Sequence, residues 1–204
     1  MRFGIFMIAI IALILVTLTC GKSMRRVSFE NALRDCDSGD LVLFRHREFS
    51  VTRAISHFTH VGIVHVKDGA KHIVETHARG DVKGQDAGVH IYDLAKRIRE
   101  YQGTVALARL KTPLSASQRA RFNVQKYLDI PFYQGYAAHF VTHCLVLPSR
   151  PSRSAKTSPG MFCSEFIGRV QKDIGIRAGH ARDDCMTPDN LADQESYRAA
   201  RIIQ

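Results

Sequence analysis

The chain has 204 residues, a formal net charge of +10 and 45% hydrophobic residues. That length amounts to about one domain, and such a chain can bury a core without disulfide or metal staples. Its five cysteines (Cys20, Cys36, Cys144, Cys163, Cys185) include no C-x-x-C pair, which argues against a disulfide framework or zinc knuckle and leaves at least one thiol free.

The positive charge is spread in short groups: Lys22, Arg25 and Arg26; Lys96, Arg97 and Arg99; Arg150, Arg153 and Lys156. No basic run interleaved with aromatics and no common nucleic-acid motif appears, so no nucleic-acid partner is expected. A solvated basic face or contact with an anionic membrane surface accounts for the charge better.

Phe3 to Gly21, nineteen residues, carries no charge and is rich in Ile, Leu, Phe and Val. A helix of that length covers a hydrocarbon core of roughly 30 Å, and the run exceeds the ~7–15 apolar residues of an ordinary cleaved signal. Residues 1–23 are therefore expected to be an N-terminal anchor that makes a single-pass membrane protein, with a cleaved secretory signal as the alternative. Thr17-Leu18-Thr19 is a poor match to the small residues that precede a lipidated cysteine, which argues against Cys20 as an attachment site. Lys22, Arg25 and Arg26 outnumber Arg2 across the run, a slight bias toward a cytoplasmic C-terminal domain. Residues 24–204 are expected to be that domain.

Ser38-Gly39-Asp40 reads as a turn before a strand at Leu41–Arg45, and Val51–Phe58 as a short helix. "THVGIVHVKDGAKHIVETH" reads as a hairpin whose β-branched runs flank Asp68-Gly69, a strong two-residue turn signal. A strand at Val89–Tyr92, a basic helix at Leu94–Tyr101 and a buried strand at Gly103–Leu110 follow. Ser115-x-x-Gln118 is a capping box, so Ser115–Leu128 is expected to be helical. The Pro/Ser-rich basic stretch from Pro148 to Pro159 reads as a surface loop or lid. Strands first and helices later imply an α+β fold with a largely antiparallel sheet.

Two local features carry chemistry. Cys163 follows Pro159-Gly160 and opens the helical pattern Phe162, Phe166, Ile167, Val170, Ile174, which puts its thiol in a first helical turn. Taken alone, such a cysteine is more readily a packed core residue than a nucleophile. In the hairpin, counting outward from Asp68-Gly69 sets Gly62 opposite Glu75 and His60 opposite His77. His60, Gly62 and Val64 then share a face with Ile73, Glu75 and His77. Glu75 can hold one imidazole nitrogen of His60 and leave the other free as a base, across space that Gly62 keeps open. A one-residue bulge would flip the alternation. Zinc held by His60, Glu75 and His77 is the competing reading of the same residues.

The order "GDLVLF", "HVGIV", "VETH", "FCSEFIGRV", "MTPDNLA" resembles the circularly permuted branch of the NlpC-type papain-like superfamily. The resemblance is strongest to the YiiX and YaeF group and more distant to lecithin:retinol acyltransferase, and it covers about Ser38 to Ala192. It implies a permuted papain-like fold, an antiparallel sheet packed against a cysteine-bearing helix. Cys163 matches that family's nucleophile, His60 its base and Glu75 the polar residue that orients the imidazole, with His77 as an alternative third member. "PFYQGYAAHF" resembles the segment whose aromatics line the cleft, which makes Tyr133 and Tyr136 candidate lining residues. The basic Pro/Ser loop departs from the family pattern.

The resulting expectation is a membrane-associated cysteine hydrolase or acyltransferase that acts on an amide, ester or thioester bond of a peptide-like or lipid-like substrate, with no cofactor. The alternative is a non-catalytic papain-like binding module at a membrane. A basic membrane- or nucleic-acid-binding protein ranks third.

Overall fold

The computed structural model describes residues 24–47, 56–78, 84–133, 160–176 and 185–204. Seven strands form one sheet: β1 (Arg26–Val27), β2 (Leu41–His46), β3 (His60–Lys67), β4 (Ala70–His77), β5 (Gly88–Asp93), β6 (Gly103–Ala108) and β7 (Arg201–Ile203). Their order is β1-β7-β6-β2-β3-β4-β5, and only the β1–β7 pair is parallel. Among the described residues five helices accompany them: α1 (Phe29–Asp35), α2 (Leu94–Glu100), α3 (Ala116–Arg121), α4 (Cys163–Asp173) and α5 (Pro188–Ala192). The fold is mixed α+β.

The hairpin has the tight turn its sequence implies. Asp68 and Gly69 take φ values of 51° and 79°, the left-handed pair that a two-residue type I′ turn demands and that Asp-Gly tolerates. Lys67 pairs with Ala70 and Ile63 with Val74, so the register expected from the turn holds without a bulge from Lys67 back to Ile63.

Period-two alternation gives the sheet two apolar faces. Leu41, Leu43, Val61, Ile63, Val74, Ala106 and Ala108 pack with Phe166, Ile167 and Val170 of α4. Val42, Phe44, Val64, Ile73, Val105 and Leu107 pack with Ala32 of α1 and with Leu94 and Ile98 of α2. A fully buried side chain such as Phe166 or Ile63 contributes about 1.5–3 kcal/mol relative to an exposed one. Lys71 ties α1 to the hairpin: its ammonium donates to the carbonyls of Leu33, Arg34 and Cys36, acceptors that a helix C-terminus leaves without intrahelical partners.

Some expectations need correction. Ser56–Phe58, the described end of the expected Val51–Phe58 helix, is not helical. The capping box at Ser115 and Gln118 is present, but α3 ends at Arg121 and only a 3-10 turn, Gln125–Tyr127, follows. Asn123 accepts from the backbone N–H of Gln125 through its side chain, a local bond that competes with helix continuation. It leaves Phe122, Val124 and Tyr127 free to enter the core together. Cys185 is disulfide-bonded, whereas Cys36 and Cys163 are free. The expected anchor over residues 1–23 and the Pro148–Pro159 loop lie outside the described residues. Among those described, no helix is long and apolar enough to cross a membrane.

Candidate active site

His60 is the first residue of β3 and shares side-chain parity with Val64, the face covered by α2. Its ring lies 5.5 Å from that of Phe44, and its Nε2 meets Glu75 Oε2 at 2.7 Å. Gly62, directly between them in sequence register, is needed there. A Cβ on it would lie 2.6 Å from Ile73 Cδ1 and 3.3 Å from Glu75 Cβ. The expected open space is in fact filled by Ile73, and the absence of a side chain at residue 62 lets β3 and β4 close over the Glu75 carboxylate.

Cys163 comes from the opposite side. It is the first residue of α4, preceded by Phe162 in extended conformation with no side-chain cap, and it belongs to the apolar cluster on the other sheet face. The thiol acts on the His60 imidazole, whose pKa it raises. With Nε2 on Glu75, the ring's second nitrogen, Nδ1, is the one left for the thiol. The imidazole at the start of β3 therefore joins the two layers of the fold. Cys163 is both packed, at 9% exposure, and partnered.

The carboxylate of Glu75 is wholly buried and has a second partner that the sequence reading did not single out. Arg97 of α2 donates from Nε to Glu75 Oε1 at 2.5 Å and from Nη2 to Oε2 at 3.5 Å. The guanidinium lies over the rings of Phe44, Tyr101 and Tyr92, at 4.9, 5.3 and 6.0 Å. A signal existed: Arg97 falls between the buried Leu94 and Ile98, on the stripe of a short amphipathic helix where apolar residues are the rule.

These contacts fix the charges. Burial alone would raise the Glu75 carboxyl, but hydrogen bonds and charge from His60 and Arg97 outweigh it and hold it at about 2. Burial would likewise pull the His60 imidazole down, yet its interactions with Cys163 and Glu75 push it up to about 10. The imidazolium is the favoured form at neutral pH.

His77, the alternative third residue, is engaged elsewhere. Its Nδ1 faces the Ala78 carbonyl at 3.1 Å, its Nε2 meets the Tyr92 hydroxyl at 2.6 Å, and its ring stacks on His90 at 4.6 Å. A carbonyl only accepts, so Nδ1 carries the hydrogen and Nε2 receives the Tyr92 proton. Burial first of all lowers this imidazole below its ordinary value, in keeping with a neutral ring. Zinc on His60, Glu75 and His77 does not fit these residues, because the lone pairs it needs are already committed. Among the described residues, no group of three or more His, Cys, Asp or Glu could hold a metal ion.

Tyr133 lies near the start of α4. Its N–H donates to the Met161 carbonyl at 3.1 Å, and the Met161 N–H donates to Pro131 at 3.0 Å. Tyr136 lies outside the described residues. The "MTPDNLA" segment serves as a clasp. Asp189 accepts from Ser56 Oγ at 2.7 Å and from the His57 N–H, which pins the chain just before β3. Ser164, next to the thiol, donates to the Met186 carbonyl at 2.5 Å.

No family model matches the chain, and no curated protein does. Among solved structures it is similar to the metalloprotein yiiX from Escherichia coli O157:H7, with a TM-score of 0.53, 16% identity, and coverage of 80% of this chain and 95% of that one. At that identity the likeness shows the fold, which is YiiX-like.

Proposed function

We propose that the chain is a cysteine hydrolase or acyltransferase of the permuted papain-like kind, with Cys163 as nucleophile, His60 as acid and base, and Glu75 as the residue that orients the imidazole. The observation that carries this reading is the buried Glu75 carboxylate at 2.7 Å from the His60 imidazole, with a thiol at the start of α4 acting electrostatically on the same ring. Packing alone does not call for that arrangement, because a thiol buried for packing needs no charged partner.

In the proposed reaction the Cys163 proton already rests on His60, and the thiolate sulfur attacks the carbonyl carbon of an amide, ester or thioester. The carbonyl π electrons move to oxygen, and the backbone N–H of Cys163 stabilises the oxyanion, since first-turn N–H groups have no intrahelical acceptor. Collapse breaks the bond to the leaving group, which takes the proton from the His60 imidazolium and leaves a thioester on Cys163. Water or another acceptor then gives its proton to His60 and displaces the thiol. The apolar run at Phe3–Gly21 and the basic charge support a membrane-associated protein and a peptide-like or lipid-like substrate.

The test is labelling with a thiol-acylating activity-based probe, with intact-mass detection, for wild type, Cys163→Ala and Cys163→Ser. A wild-type adduct absent from both variants is expected. Equal labelling of all three removes Cys163 as nucleophile.

A further inference from the structure

We propose that Arg97 is a positioning residue, the fixed counter-ion that lets the buried site hold a carboxylate, an imidazolium and a thiolate together. The inference rests on the cysteine reading above and adds a fourth member to it.

Glu75 is fully buried, and the Arg97 side chain is 13% exposed. In the proposed thiolate–imidazolium state two cations and two anions meet in this small volume: Arg97 and protonated His60, Glu75 and deprotonated Cys163. Their formal charges sum to zero. Without Arg97 the same state carries an uncompensated negative charge where water is scarce, and buried unpaired charge is strongly disfavoured. The site would recover neutrality by binding a proton, and the most basic anion present, the thiolate, would take it.

The other groups facing this cluster do not supply the missing charge. From β4, His77 is a neutral ring held by Ala78 and Tyr92. From β5, His90 bonds the Asp86 carbonyl at 2.8 Å and Tyr92 presents a hydroxyl. From β2, Phe44 presents only an aromatic face, and past the end of α2 so does Tyr101. On α4 the nearest charges, Glu165 and Arg169, pair with each other at 2.7 Å. Arg97 also has the shape for the task. Its planar fork meets both carboxylate oxygens, so it fixes the carboxylate's rotation and with it the bond to His60.

The experiment measures the pH dependence of iodoacetamide alkylation at Cys163, read peptide by peptide, with buried Cys36 as the internal reference thiol. The wild-type alkylation midpoint is the reference against which the variants are read. Arg97→Met keeps the apolar stem under Phe44 and Tyr101, and it should move the midpoint up by about one pH unit or more. Arg97→Lys keeps the charge and should restore most of the shift. Adding Glu75→Gln to Arg97→Met removes both fixed charges and should also bring the midpoint back toward wild type.

A folded Arg97→Met protein with the wild-type midpoint overturns the proposal. If Arg97→Met does not fold, charge balance requires the double variant to fold, and an unfolded double variant assigns Arg97 to packing alone. A midpoint that His60→Ala leaves unchanged instead refutes the Cys163–His60 pairing itself, whatever Arg97 does.

Discussion

His60 and Glu75, fifteen residues apart in the chain, meet at 2.7 Å just beyond the paired stretch of the β3–β4 hairpin. The same imidazole is raised in pKa by Cys163, which lies about a hundred residues further on. Replacing Glu75 by Gln keeps the side-chain shape and removes the charge that faces the ring. We expect Glu75→Gln to lower the Cys163 acylation rate at pH 7 by ~10²–10⁴-fold, the range for loss of an orienting carboxylate in such triads. The rate of probe labelling by mass spectrometry checks this, and a loss below threefold would remove Glu75 from the constellation.

Gly62 should tolerate no side chain. The Cβ of Gly62→Ala would press on Ile73 and on the base of Glu75. Overpacking of this kind costs about 1–3 kcal/mol, and chemical denaturation should register it. Labelling of Cys163 should fall as well, because the strain lands on the carboxylate that holds His60. A variant as stable as wild type would mean that the two strands can part without cost.

Stability should depend on pH through the two charged partners. Glu75 is held at about 2, below its ordinary 4.5, so its contribution is present above pH ~4.5 and is lost as pH falls through 2. His60 is raised to about 10 from 6.5, so its contribution is complete below pH ~6.5 and fades as pH rises through 10. Asp40, raised by burial to about 6 from 3.8, works against stability as it ionises between those values. The stability gap between wild type and Glu75→Gln should therefore open between pH 2 and 4.5 and narrow again at alkaline pH. Thermal melts of both proteins across pH 3 to 10 measure it, and a gap that does not vary with pH refutes the linkage.

The clasp at Asp189 gives a further expectation. Asp189→Ala removes the acceptor for Ser56 Oγ and for the His57 N–H. It should cost about 1–3 kcal/mol and slow Cys163 labelling, since the backbone just before His60 loses its tether. Unchanged labelling kinetics in a destabilised variant would confine Asp189 to a structural role.

The local parts of the site were legible in the sequence because short-range rules govern them. Asp-Gly sets the turn, the turn sets the register, and the register sets which side of β3 and β4 carries His60 and Glu75. The start of α4 at Cys163 was legible from apolar spacing after Pro-Gly. What the sequence hid depends on packing between distant segments. Arg97 looked like one of several basic residues on a surface helix, and only the docking of α2 over Phe44 and Tyr101 turns it inward. The break after Arg121 was hidden because one side-chain bond from Asn123 outcompetes a helix that begins with a good cap. β1 and β7 are too short to carry a periodic signal, and they form only once β7 can lie between β1 and β6.

That last pairing also orders events in time. Arg26 and Val27 lie beside Ile202 and Ile203, so during synthesis β1 has no parallel neighbour until the last strand is made. The β3–β4 hairpin closes over a two-residue loop and can hold His60 against Glu75 much earlier, since short loops cost little entropy to close. Cys163 reaches that pair only after most of the chain has been made. The His60–Glu75 pair can therefore form before the chain is complete, whereas Cys163 joins it late in synthesis.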